Sequence, residues 1–124
     1  MKYAIDVHDF SFKKIKNGTR RISIHLFDKN AQQIKLNDTI NMRNTVTEEH
    51  LECNIKGIAI FDNFDDLIDI LGYEALGYDN KKEVMVRIKR IFPLELQKSL
   101  NAVAFFLEKI TDKPNLIERG EIER

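Results

Sequence analysis

Along this chain the spacing of apolar side chains changes several times, and each change marks the edge of an element. Tyr3, Ile5 and Val7 alternate with polar neighbours in a strand or extended lead-in. Asp9 or Ser11 then caps a short helix whose apolar face is Phe12 and Ile15, with Phe10 beside it and Gly18 as its natural terminator. From Arg20 the period becomes two. Ile22, Ile24 and Leu26 fall on one side and Arg21, Ser23, His25 and Phe27 on the other, the pattern of a half-buried strand. Residues 28–36 are expected as loop, followed by a turn at Asn37 and Asp38 and a strand over 39–43. The longest strand runs over 51–61, with Leu51, Cys53 and Ile55 on one face. Ile58 and Ile60 then share the parity of Glu52 and Asn54, a slip that a β-bulge at Gly57 produces.

Helical spacing returns with Phe64, Leu67, Ile68 and Leu71, a stripe that Gly72 stops. Val84, Met85, Ile88, Ile91 and Phe92 predict a second helix ending before Pro93, and residues 94–100 a third, shorter one. The run AVAFFLEKI is apolar over the length of a strand and suits the centre of a sheet. Residues 1–110 thus predict one α+β domain, a small curled sheet or barrel with helices packed on it. The strand connections are short enough for antiparallel pairing, and residues 111–124 form a polar tail.

Composition narrows the function. The chain of 124 residues has formal net charge zero, which excludes the strongly basic balance of proteins that grip long duplexes through phosphates. Charge is nevertheless segregated. Lys13, Lys14, Lys16, Arg20 and Arg21 lie in a stretch without acids, the segment 59–80 carries acids without bases, and 81–90 is basic again apart from Glu83. A phosphate-bearing ligand would choose a basic region; solvated helix faces explain the same pattern. Cys53 is the single cysteine, so no internal disulfide forms, as suits a reducing compartment. The chain shows no signal peptide and no membrane span, so a cytoplasmic location is expected. His8, His25 and His50 lack metal-site spacing, so no metal or other cofactor is expected.

Several segments together resemble the ASCH domain, a member of the PUA-like β-barrel group. FKKIKNGTRRISIHLFD matches that family's helix, turn and Gly-x-Lys-x-x-Glu-x-Arg strand, and IKLNDTI its Val-Gly-Asp turn before a strand. IFDNFDDLI matches an aromatic and Phe before a helix, and RIFPLELQKSLNAVAFFLE a Tyr-Pro boundary, short helix and final strand. The resemblance covers residues 10–107. It implies an RNA- or nucleotide-binding module with a cleft beside the barrel. It also implies an alternative, since a bacterial branch of the family removes acetyl from N-acetylated cytidine using a Lys, a hydroxyl and a Glu.

Position by position Gly18 is kept, the family Lys becomes Arg20, the Glu (Thr in the hydrolase branch) becomes Ser23, and the Arg becomes His25. A guanidinium stays protonated at physiological pH, so Arg20 offers a planar fork for phosphate or a base edge but no general base. Ser23 and His25 share a strand face and could form a nucleophile and its base. Side chains two apart on a strand point in parallel, however, and no orienting carboxylate is evident. The hydrolase branch's Glu aligns near Gly77 when the Ile91-Phe92-Pro93 boundary is matched, leaving Glu74 as a nearby stand-in, and Phe92 replaces the usual Tyr. The ligand-binding candidates are therefore Arg20, Arg21, Ser23, His25, Asp28, Lys29 and Phe92. Ser23 and Glu74 are the catalytic candidates. Phe27 and Phe92 are candidate stacking platforms for a base. The favoured reading is a non-catalytic cleft for RNA or a nucleotide. An amidohydrolase on an acetylated nucleoside and a protein-interaction domain with a decayed cleft remain as alternatives.

Overall fold

The computed structural model describes residues 2–110, so the expected tail at 111–124 lies outside the described residues. Chain order is β1 (Lys2–Val7), α1 (Asp9–Lys16), β2 (Ile22–Leu26), α2 (Lys29–Gln32) and β3 (Thr39–Asn44). There follow β4 (His50–Phe61), α3 (Phe64–Leu71), a 3₁₀ turn (Glu74–Leu76), α4 (Lys81–Ile91), α5 (Leu94–Ser99) and β5 (Ala102–Lys109). The strands form one sheet ordered β1-β3-β4-β5-β2, curled into a half-barrel.

Antiparallel pairing holds for β3 with β4, β4 with β5, and β5 with β2. It fails for β1, which pairs parallel with β3. Parallel neighbours need a crossover, and here α1, β2 and α2 form it, sending β2 to the opposite edge. The β-bulge is where parity placed it: Ile55 faces Leu107 and Gly57 faces Phe106, leaving Lys56 as the extra residue. A Cβ on Gly57 would sit 3.0 Å from the Phe106 ring, so glycine lets the two strands close there.

Apolar side chains divide between two cores on the two faces of the sheet. Ile22, Ile24 and Leu26 of β2 and Ala102 and Ala104 of β5 pack with the α3 stripe and with Val84 and Ile88 of α4. Phe12 and Ile15 of α1 close the other face over Ile40, Met42, Ile55 and Phe105. Each fully buried aliphatic side chain contributes about 1.5–3 kcal/mol. Because both faces of β2 are covered, it is not the half-buried strand expected from its alternation. Ser23 is only 4% exposed and pairs across the sheet with Phe105.

Two local features differ from expectation. Asp28 accepts a hydrogen bond from the Ala31 amide at 2.9 Å and so starts α2 within the expected loop. At α1 the cap is His8, whose Nδ1 accepts from the Phe10 amide at 3.2 Å, and Ser11 is buried inside the helix.

Candidate functional site

Alternation on β2 sets Ser23 and His25 on the strand face opposite Ile22, Ile24 and Leu26, the residues that pack with α3 and α4. The two side chains do meet: Ser23 Oγ and His25 Nε2 are 2.6 Å apart, the longer imidazole folding back along the strand to reach the hydroxyl. The His25 ring also tilts against Phe105, with centroids 5.7 Å apart. Burial pushes the His25 pKa down from 6.5 to about 4; the positive charge of Arg20 adds to this and Asp28 opposes it. At neutral pH the ring is therefore uncharged. Among the described contacts no carboxylate bonds its other nitrogen.

Arg20 enters from the turn that Gly18 makes at φ +86° and is 5% exposed. Its Nε donates to the Ile22 carbonyl at 2.7 Å and its Nη1 to Ser11 Oγ at 2.9 Å, tying β2 to α1. Burial lowers its pKa, contact with the Tyr78 phenol opposes this, and the charge of Arg87 lowers it further. The described partners of this buried cation are a carbonyl, a hydroxyl and a phenol, none of them an acid. Arg87 itself donates from Nη2 to His8 Nδ1 at 2.9 Å, while its buried Nε has no hydrogen-bond partner among the described residues. Both guanidinium groups line a cavity of about 200 Å³ with Ser11, Ser23, His25 and Tyr78. The acid on that lining, Asp6, turns to Arg43 in a two-point ion pair at 3.0 and 3.1 Å. Two like charges around one hollow repel each other and favour an anion between them.

A larger cavity of about 560 Å³ opens on the other side of Ser23, His25 and Phe92, which line both hollows. Its walls are mainly apolar, including Ile5, Ile34 and Leu96, with Asp28, Asn30 and Gln33 as polar points. Its size suits a small organic ligand and its few polar groups could orient one. Phe92 is held by Phe64, the rings stacked 5.0 Å apart.

The remaining candidates separate. Arg21 lines a third hollow with Arg20, Lys56 and Lys109, whose lining does not include Ser23 or His25. Lys29 and Glu74 are exposed and line none of the described cavities, and Phe27 packs beside the second core. Among the described residues no group of three or more His, Cys, Asp or Glu could hold a metal. Cys53 is buried, which pushes its thiol up to about 11. No helix of the described residues is long and apolar enough to cross a membrane.

No family model and no curated protein matches the chain. Solved structures do. Protein PH0355 superposes with a TM-score of 0.79 at 25% identity over 89% of this chain and 100% of its own. PF0455 from Pyrococcus furiosus gives 0.72 at 22% identity over 89% and 98%. ASCH from Zymomonas mobilis gives 0.57 at 16% identity over 85% of this chain and 65% of its own. The fold is of the ASCH type. Within this fold Arg20, Ser23 and His25 line one hollow. Ser11, Tyr78 and Arg87 complete that hollow; in the sequence Ser11 is read only as a helix cap, and Tyr78 and Arg87 are not singled out. Their signal was present: Ser11 sits beside the Phe12 and Ile15 stripe, and Arg87 falls between Val84 and Ile88 on the buried face of α4.

Proposed function

We propose that this ASCH-type domain binds RNA or a nucleotide-like ligand in its cleft without transforming it. The base enters the larger, apolar-walled cavity beside Phe92, and a phosphate lies in the smaller one between Arg20 and Arg87. The observation that carries this reading is Arg20: a permanent charge, buried, with neutral partners and a second cation facing the same hollow. Burying a charge without a counter-charge is costly, and an arriving anion offsets that cost. Neutral Ser23 and His25 supply hydrogen bonds at the boundary of the two cavities, and Asn30 supplies them within the larger one. The open cavities weigh against a decayed cleft.

Calorimetric titration with cytidine monophosphate and cytidine tests the proposal. The monophosphate should bind more tightly, and Arg20→Met should weaken it by about tenfold to a hundredfold, the loss of one or two charge-assisted hydrogen bonds. Equal binding of both ligands, unchanged by Arg20→Met, would reject it. The Ser23–His25 contact at 2.6 Å supports a second reading, hydrolysis of an acetylated nucleoside with Ser23 as nucleophile. A base held near pKa 4 with no orienting carboxylate is poorly matched to that task at neutral pH. Turnover of N-acetylcytidine, abolished by Ser23→Ala, would establish the second reading in place of the first.

A further inference from the structure

The two basic stretches of the sequence, one in α1 and one in α4, meet along a groove of about 530 Å³ outside the cleft. Phe10 and Tyr78 form its aromatic part, with ring centroids 5.4 Å apart. Lys14 Nζ lies 4.9 Å and the Arg87 guanidinium carbon 4.8 Å from the centroid of the Phe10 ring. Lys82 and Arg90 are exposed farther along the same lining. None of these four cations is ion-paired among the described residues, whereas Lys81, at the start of the same helix, bridges Asp65 and Asp69 of α3. The acids on the groove are Asp79 and Glu83, and Glu83 is turned back to the Asp79 amide at 3.3 Å. Gly77 completes the floor: at φ +84° its missing Cβ would sit 2.8 Å from Lys14 Cδ, so the lysine stem lies directly on the turn.

Cations without an ion-pair partner around an exposed ring, here Phe10, are an arrangement that tracks a phosphodiester backbone and stacks a base. The groove is also continuous with the cleft, because Tyr78 and Arg87 line both it and the smaller cavity. We infer that the ligand is a single-stranded RNA segment, with one nucleotide in the cleft and the adjoining nucleotides running out along the groove between α1 and α4. This rests on the cleft reading for the anchored nucleotide, while the groove's own contacts are Phe10, Lys14, Lys82 and Arg90. A duplex is disfavoured, since its bases are not free to stack on Phe10.

The test is fluorescence anisotropy on the full chain with a single-stranded RNA of about twelve nucleotides, within the usual span of such sites, alongside calorimetry with cytidine monophosphate. The oligomer should bind at least about tenfold more tightly than the mononucleotide. Lys82→Gln combined with Arg90→Gln should lower the slope of log affinity against log salt by about 1.4 for the oligomer and leave the mononucleotide unchanged. Phe10→Leu should weaken the oligomer about tenfold. Both sets of positions are exposed, so the fold is not at stake. Unchanged oligomer affinity and salt slope in the double variant would overturn the groove while leaving the cleft reading intact. So would equal wild-type affinity for both ligands, or tighter binding of a matching duplex. Oligomer binding that depends on the groove, without any mononucleotide binding, would instead remove the cleft reading and keep the groove.

Discussion

Acidification should destabilise this protein through one residue. In the unfolded chain the His25 ring titrates at its ordinary 6.5, and in the folded chain at about 4, because burial and the neighbouring Arg20 charge oppose protonation. As pH falls from 6.5 the unfolded state takes up the proton first, so stability rises with pH across this window and is lost on descending through it. The full gap corresponds to roughly 3 kcal/mol, of which about 2 kcal/mol is expressed between about pH 7.5 and about pH 5. The lowered carboxylates, Asp6, Asp9, Asp38 and Glu49, act in a separate range. Their ordinary values are 3.8 for the aspartates and 4.5 for Glu49, so the stability they contribute is present above those values and is lost only below them. Urea unfolding followed by circular dichroism should show a midpoint lower by about 1 M at the acid end, for a typical dependence of about 2 kcal/mol per M. His25→Gln should flatten most of that dependence. An unchanged pH dependence in His25→Gln, or an NMR titration placing the ring near its ordinary value, would refute the reasoning and with it the neutral imidazole beside Ser23.

Two further predictions concern the scaffold. Leu67→Ala, at a fully buried position of the α3 stripe, should cost about 2–5 kcal/mol in urea unfolding; a loss below about 1 kcal/mol would mean that the helix does not seal that core. Gly77→Ala meets both a left-handed φ of +84° and the Lys14 stem at 2.8 Å. It should cost about 1–3 kcal/mol, seen as a lower thermal midpoint, and a neutral result would mean that the turn is not held as described.

Much of the scaffold was legible in the sequence because it rests on local repetition. The α3 stripe of Phe64, Leu67 and Ile68, its stop at Gly72 and the end of α4 before Pro93 were all readable from spacing and chain stiffness. The bulge at Gly57 was readable from parity alone. The run AVAFFLEKI became β5, flanked by β4 and β2, because an element covered on both faces must be apolar on both.

What depended on contacts distant in sequence was not legible. The parallel pairing of β1 with β3 is set by where α1 and β2 carry the chain, and no local period encodes that. The second face of β2 looked polar and wet, yet Phe105 and the barrel wall cover much of it, so a buried Ser23 is bonded to a half-buried His25. Residue types by themselves established that the chain carries a permanent cation after Gly18, a hydroxyl and an imidazole on one strand face, and two basic stretches far apart in sequence. Only the tertiary structure decided that this cation is buried among neutral partners and joined by Arg87, and that the basic stretches meet around Phe10. Charge and periodicity belong to residue types and local spacing, whereas burial and convergence arise only when segments far apart in the chain exclude water together.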